Sequence, residues 1–235
     1  MTASRLQRLC AALSLIALFL VLAGPAQAST GDPGPISPIL DNDLASVTTY
    51  WGQTFAAEGR TAPSVQHTWV APGATVSTGC GANANDTSAF YCPTDDTIYI
   101  GQSFATALYD GVANGLPGQQ AGFGHAAGQF AVAYVVAHEF GHNIQQENGQ
   151  LAGRTQALPT ELNADCLAGT WAHWDYGQGK MDDAGIKQVL DAALAVGDFD
   201  FLSPQHHGTP QQRRDALLTG FDKGTESACA PYLQM

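Results

Sequence analysis

The sequence predicts an α+β domain that is mainly helical, with a small sheet, and that folds as a single domain. Several stretches repeat apolar residues at steps of three and four positions, which is the period of an amphipathic helix. Only two short stretches, both in the first half, read as strands. The chain has 235 residues and no internal repeat, a length that suits about one domain.

The N-terminus, residues 1–28, is predicted to be a signal peptide. Arg5 and Arg8 make its start positive, an apolar run covers 9–22, and small residues precede a cleavage point after Ala28. The run is too short to favour a membrane-spanning helix, although a retained anchor is the alternative. We therefore expect a secreted or extracytoplasmic protein.

Residues 29–39 are rich in Pro and Gly and predict a flexible leader before a domain at 40–235. Cleavage of the signal segment removes two arginines and no acid, so the formal net charge changes from −12 to −14. Binding to nucleic acid or to anionic lipid needs clustered Lys and Arg. We therefore expect no nucleic-acid partner and, after signal cleavage, no membrane partner.

The first predicted helix starts near Asp41, with Asn42 or Asp43 as its cap and Gly59 as its stop. Its apolar positions are Leu44, Val47, Trp51 and Phe55. A strand is predicted within residues 65–73. Further along the chain, a turn at Pro93-Thr94-Asp95 leads into a second strand, 97–100.

Four more helices are predicted in the second half of the chain. The longest apolar stretch, 126–144, covers most of a helix circumference and indicates a buried helix. Pro159 suits the first turn of a helix at 159–175, and Thr209 and Pro210 suit the start of the last helix. The last helix is predicted at 209–221, and a further helix is predicted before it at 182–198.

Four cysteines remain after signal cleavage, and an even number in an exported protein favours two disulfides. Three pairings are possible. Cys80 and Cys92 flank a loop that can close on itself, and Cys229 can then bond to Cys166. Free buried thiols are the alternative.

The motif His138-Glu139-Phe140-Gly141-His142 is the strongest chemical signal in the chain. Residues four apart share one face of a helix, so His138 and His142 can bind one zinc ion. Glu139 lies one step round the helix, where a general base can reach a water on the metal. About 0.004 matches are expected by chance for a chain of this His and Glu content.

Two ordinary surface histidines on an amphipathic helix are the alternative interpretation of this motif. The helix is apolar on nearly every side, however, and burying three ionisable groups without a partner is expensive. Metal coordination offsets that cost.

The next helix supplies a candidate third ligand. Glu161 and Asp165 are four residues apart and share a face, so Glu161 can bind the metal while Asp165 accepts the outer N–H of a ligand histidine. An acid at a helix start also interacts favourably with the helix dipole, which is the simpler explanation of Glu161 taken alone. Its place one loop after the His-Glu-x-x-His helix favours the ligand role.

Four blocks of the sequence together resemble the bacterial neutral zinc metallopeptidases of the YpfJ type. The blocks are HEFGHNIQ, ELNADCLAGTWA, YCPTDDTIYI and HGTPQQR; they occur in the family's order, and the resemblance extends over most of residues 40–225. The resemblance implies a zincin-like fold with His138, His142 and Glu161 as ligands and Glu139 as base. Asn143, Asn163, Pro210 and Gly101 depart from the residues usual in that family, and none is a proposed ligand.

His207 precedes the last helix and has two possible roles. It can enter the active site and stabilise the oxyanion formed during peptide hydrolysis. Alternatively it caps or packs the last helix, with Arg213 pairing a nearby acid.

The sequence thus predicts a secreted zinc metallopeptidase acting on a peptide or protein substrate. An extended substrate can add to the edge of the 97–100 strand if that edge is free. One rival is a non-catalytic exported binding protein in which zinc only ties helices together, and a metal-free structural or adhesive protein is another. A structural zinc site would need a fourth protein ligand and has no use for Glu139.

Overall fold

Helices dominate the structure, a computed structural model that describes residues 35–235. The helices are α1 (Ser37–Ala57), α2 (Gln102–Tyr109), α3 (Pro117–Gln120), α4 (Gln129–Glu147), α5 (Leu158–Gly177), α6 (Asp183–Val196) and α7 (Pro210–Lys223). The strands are β1 (Gln66–Val70), β2 (Thr75–Ser77), β3 (Asn83–Asn85), β4 (Ala89–Cys92) and β5 (Thr97–Gly101). The predicted class, a mainly helical α+β single domain with a small sheet, is confirmed. The predicted signal peptide and residues 29–34 of the predicted leader lie outside the described residues.

Helix α1 begins earlier than the sequence pattern indicated. It starts at Ser37 with Pro38 in its first turn, so the predicted caps Asn42 and Asp43 lie inside the helix and the predicted leader is wrong at residues 37–39. Proline lacks a backbone N–H and has a helical φ, which suits a first turn where that N–H has no partner. The apolar face is as predicted.

The main sheet has the strand order β1-β5-β4, with β1 parallel and β4 antiparallel to β5. Strands β2 and β3 form a separate antiparallel pair. Strand β5 is therefore central, and the expectation that its edge could bind a peptide is wrong. Among the described residues, β4 is an edge strand of this sheet.

Helix α4 is the central helix of the core and packs against α1, α5 and α6. It starts three residues later than predicted, after Gly128, whose φ of 92° favours glycine. Tyr134, Phe140 and Ile144 are almost fully buried, as the wide apolar face predicted. Burying one such side chain stabilises the fold by roughly 1.5–3 kcal/mol.

Glycines allow the helices around α5 to approach closely. A Cβ at Gly220 of α7 would lie 1.8 Å from the Cys166 carbonyl oxygen, and one at Gly169 would lie 2.1 Å from the Leu217 carbonyl oxygen. Gly141, inside the two-histidine motif, would place a Cβ 3.1 Å from the Ala164 backbone. These contacts bring α4, α5 and α7 together around the motif.

The described chain contains two disulfides, one between cysteines twelve residues apart and one between cysteines 63 residues apart. Cys80, in the loop between β2 and β3, bonds Cys92 at the end of β4, and Cys166 of α5 bonds Cys229 in a C-terminal 3₁₀ helix, Glu226–Gln234. Within residues 35–235, no helix has both the length and the apolar character needed to span a bilayer.

A buried carboxyl group, Asp43 of α1, makes stability depend on pH. Burial, with a contribution from the nearby charge of Asp175, raises the pKa of Asp43 from 3.8 to about 8. The folded state thus holds this proton more tightly than the unfolded chain, and Asp43 destabilises the fold progressively as pH rises from about 4 to about 8.

We expect Asp43→Asn to stabilise the protein, because the amide carries no charge at any of these pH values. The gain in unfolding free energy should be near zero at pH 4 and largest above pH 8, with an upper limit of roughly 6 kcal/mol. Urea unfolding between pH 4 and pH 9 measures it. The exposed Asp222→Asn serves as control, and an equal gain at every pH would contradict the explanation.

Candidate metal centre

Two histidines on adjacent turns of α4 form one side of the candidate site. His138 and His142 are four residues apart, and their ring centroids lie 4.9 Å apart with the ring planes nearly perpendicular. Both side chains are largely buried. The C-terminal half of the core helix therefore directs both imidazoles towards the start of α5.

Glu161, in the first turn of α5, supplies the third donor. Its Oε2 lies 3.2 Å from His138 Nε2, and its Oε1 lies 3.4 Å from His142 Nε2. One ligand atom from each of the three residues lies within 4.8 Å of the other two. The structure thus brings together the three side chains that the sequence pattern selected.

Asp165 holds His138 from the side opposite Glu161. Its Oδ1 lies 2.9 Å from His138 Nδ1 and accepts from the Tyr134 hydroxyl at 2.6 Å. Its Oδ2 accepts from Arg213 Nε at 2.7 Å, and Arg213 Nη2 donates to Oδ1 at 3.0 Å. Asp165 is fully buried, so these contacts orient it as the acceptor that fixes the His138 ring.

Gln145 holds the other histidine. Its Oε1 lies 3.0 Å from His142 Nδ1. Neither Gln145 nor Tyr134 was selected from the sequence, because a buried glutamine and tyrosine on a core helix have no spacing that distinguishes them from packing residues. Arg213 was expected to pair an acid, and that acid is Asp165.

The electrostatics of the site favour a cation. Burial alone would lower the pKa of His138, but the charge and hydrogen bond of Asp165 outweigh burial and raise it to about 10. Burial likewise opposes protonation of His142, and Glu161 raises its pKa. The two imidazoles in turn hold the pKa of Glu161 well below its usual range despite burial.

The donor set fits zinc. Two imidazole nitrogens and one carboxylate oxygen are ligands that a catalytic zinc ion takes in proteins. With neutral imidazoles, the carboxylates Glu139, Glu161 and Asp165 and the Arg213 guanidinium carry a formal charge of −2, which a divalent cation neutralises. Imidazole ligands must be deprotonated at the coordinating nitrogen, so zinc would compete with protons for the two histidines.

The three donors open onto a cavity of about 500 Å³. Glu139 and His207 also line it. Apolar and aromatic side chains form much of the remaining wall, among them Phe90 and Tyr91 of the edge strand β4. This volume lies in the range of small-molecule and peptide-binding clefts.

His207 lies on the loop between α6 and α7 and does not cap α7. Thr209 caps that helix with a full capping box through Gln212. The buried neighbour His206 pairs with Asp198. The His207 backbone N–H donates to Asp198 Oδ2 at 2.8 Å, while its ring, about half exposed, faces the cavity 3.4 Å from the same oxygen.

Fold and site together define a helical α+β domain with a His-His-Glu centre carried by two consecutive helices. The chain belongs to the family described as "Putative neutral zinc metallopeptidase", whose model matches residues 35–232.

The chain is also similar to curated bacterial proteins. The chain is 37% identical over 212 residues to the "Uncharacterized protein YpfJ" of Escherichia coli, covering 80% of this chain and 69% of that protein. It is 33% identical over 186 residues to an uncharacterized protein of Mycobacterium tuberculosis, covering 67% of this chain and 59% of that protein. No solved structure matches the chain.

Proposed function

We propose that the protein is a secreted zinc-dependent metallopeptidase. The observation that carries this proposal is the set of three donor atoms, each within 4.8 Å of the others, on the wall of a cavity that Glu139 also lines. His138, His142 and Glu161 hold the metal. Asp165 orients His138 and keeps its Nε2 directed at the metal position.

A zinc ion held by these residues would supply a Lewis acid that activates water and polarises the substrate carbonyl. Glu139 accepts the proton of the attacking water and later donates it to the departing amine. His207 faces the same cavity and donates a hydrogen bond to the oxyanion that develops on the carbonyl. Asp198 holds the His207 loop in place.

Strand β4 offers a place for an extended peptide or protein substrate. It is an edge strand among the described residues, and its residues Ala89, Phe90 and Tyr91 line the cavity. Main-chain hydrogen bonds to such an edge bind an extended peptide without a strict sequence requirement. The aromatic wall favours apolar side chains next to the cleaved bond.

The rival is a non-catalytic exported protein that zinc only stabilises. Structural zinc sites are normally closed by four protein ligands. Within residues 35–235, the group of side chains that meets the distance requirement for a metal has three members. Three donors beside an open cavity favour catalysis, and so does the position of Glu139 on its wall.

Secretion is proposed from two features. Residues 1–28 have the charge, apolar run and small-residue end of a signal peptide. Two disulfides in the described chain persist in an oxidising compartment. Determining the N-terminal sequence of the exported protein tests cleavage after Ala28.

Digestion of a mixed peptide library tests the activity. We expect the purified mature protein to cleave peptides, a zinc chelator to stop cleavage, and added zinc to restore it. Cleaved bonds should be flanked by apolar residues. A protein that contains one zinc ion per chain and cleaves no peptide would support the structural role of the metal instead.

A further inference from the structure

We propose that Gln145 is the positioning residue for the metal ligand His142, and that the C-terminal 3₁₀ helix holds Gln145 in this role through Asn163. The inference rests on the proposed zinc site and adds the part of the chain that supports its second histidine. The contacts form one line, from His142 through Gln145 and Asn163 to the backbone of Cys229.

The orientation of the Gln145 amide follows from its partners. Its Nε2 lies 2.7 Å from the Thr160 carbonyl oxygen, which can only accept a hydrogen bond. The amide nitrogen therefore belongs on that side, and Oε1 faces His142 Nδ1 at 3.0 Å. Gln145 is fully buried, so water does not compete for these positions.

Asn163 is oriented by the same argument. Its Nδ2 donates to the Cys229 carbonyl oxygen at 2.8 Å, again a group that only accepts. Its Oδ1 then faces Gln145 Nε2 at 2.9 Å. Two backbone carbonyls, one in α5 and one in the C-terminal 3₁₀ helix, thus determine both amide orientations.

The consequence for His142 is a defined tautomer. Gln145 Oε1 can only accept, so His142 Nδ1 carries the proton and donates it. In the neutral ring that binds a metal, the lone pair then lies on Nε2, the atom 3.4 Å from Glu161 Oε1. Asp165 does the same for His138, so an ionised group orients one ligand and a neutral amide orients the other.

The disulfide Cys166–Cys229 joins the C-terminal 3₁₀ helix covalently to α5. It holds the residue whose carbonyl accepts from Asn163, and Cys166 directly follows Asp165 in the sequence. Loss of this disulfide should therefore loosen the Asn163 and Gln145 contacts and weaken zinc binding. The other disulfide, Cys80–Cys92, has no contact with this line and provides a matched control.

Zinc affinity, measured by competition with a chromophoric chelator, tests the role of Gln145. We expect Gln145→Met to weaken zinc binding about 10- to 100-fold, because the side chain keeps its length and loses the acceptor. Gln146→Met, the same change at the exposed neighbouring position, should leave the affinity unchanged. The visible spectrum of the cobalt-loaded protein should change in the first variant alone.

Gln145→Glu separates positioning from packing. Both Glu and Met lose the Nε2 donor to Thr160, but Glu keeps an acceptor for His142 Nδ1, so it should bind zinc at least about tenfold more tightly than Gln145→Met. Equal zinc affinity in the wild type and in a folded Gln145→Met variant would overturn the inference. A wild-type protein that binds no zinc would instead overturn the proposed function.

Two further variants test the C-terminal link. Replacing both Cys166 and Cys229 by Ala should weaken zinc binding, while replacing both Cys80 and Cys92 by Ala should not. Asn163→Leu, with both disulfides intact, breaks the same line and should weaken zinc binding even if the first double variant fails to fold. Unchanged zinc affinity in a folded Asn163→Leu variant would overturn the C-terminal link.

Discussion

Glu139→Gln should lower the rate of peptide hydrolysis by about 100- to 10,000-fold while zinc stays bound. The amide keeps the size of the carboxylate but cannot accept a proton, so the loss corresponds to that of a general base. Glu139 is not one of the three grouped donors, and its side chain lines the cavity beside them. Steady-state cleavage of a fluorogenic peptide, with zinc content measured on the same samples, gives both quantities.

The matched control is Glu147→Gln, the same change at the exposed C-terminal end of α4. It should leave both the rate and the zinc content unchanged. Wild-type rates in the Glu139→Gln variant would remove the base assignment, and loss of zinc from it would show that Glu139 binds the metal.

Replacing Glu161 should have a different effect from Glu139→Gln, because the protein should lose the zinc ion itself. Glu161→Ala removes the carboxylate whose Oε2 lies 3.2 Å from His138 Nε2 and whose Oε1 lies 3.4 Å from His142 Nε2. We expect zinc affinity to fall by more than about 100-fold, beyond the 10- to 100-fold that loss of an orienting contact costs. Activity should be lost with the metal.

Asp165→Asn is the comparison variant, because Asp165→Ala would leave the buried Arg213 guanidinium without its partner and destabilise the fold. The asparagine keeps an oxygen acceptor near His138, so zinc affinity should fall less than in Glu161→Ala. Equal zinc affinity in the wild type and Glu161→Ala would refute the ligand assignment. If zinc affinity fell further in Asp165→Asn than in Glu161→Ala, Asp165 would be the metal ligand and Glu161 the residue that orients the histidine.

The five long helices, α1 and α4 to α7, and the donor set were predictable from the sequence because both depend on local spacing, whereas the short helices α2 and α3 were not predicted. Thr209 and Pro210 marked the start of α7, and Thr209 does cap it. The four-residue spacing of His138 and His142 predicted a shared helix face. Glu161 required only the step to the next helix, because it lies in the first turn of α5, which directly follows α4 in the chain.

The sheet and the hydrogen bonds that hold the metal-ligand histidines depend on contacts between residues that are far apart in the sequence. Strand β4 is four residues long and ends at a disulfide cysteine, and β2 and β3 have three residues each, too short for a clear alternation. Strand β5 is central because it pairs both with the neighbouring β4 and with β1, which lies about thirty residues earlier in the chain. Gln145, Asn163 and Cys229 meet only because α5, α4 and the C-terminal 3₁₀ helix pack together.

The most direct test of the account is a crystal structure of the zinc-loaded protein with anomalous diffraction measured at the zinc absorption edge. We expect one anomalous peak within bonding distance of the Nε2 atoms of His138 and His142 and of the Glu161 carboxylate, about 2.0–2.2 Å from each. The remaining coordination position should face the cavity that Glu139 lines, with no protein side chain in it. Zinc bound elsewhere, or closed in by a fourth protein ligand, would contradict the proposal of a catalytic metal.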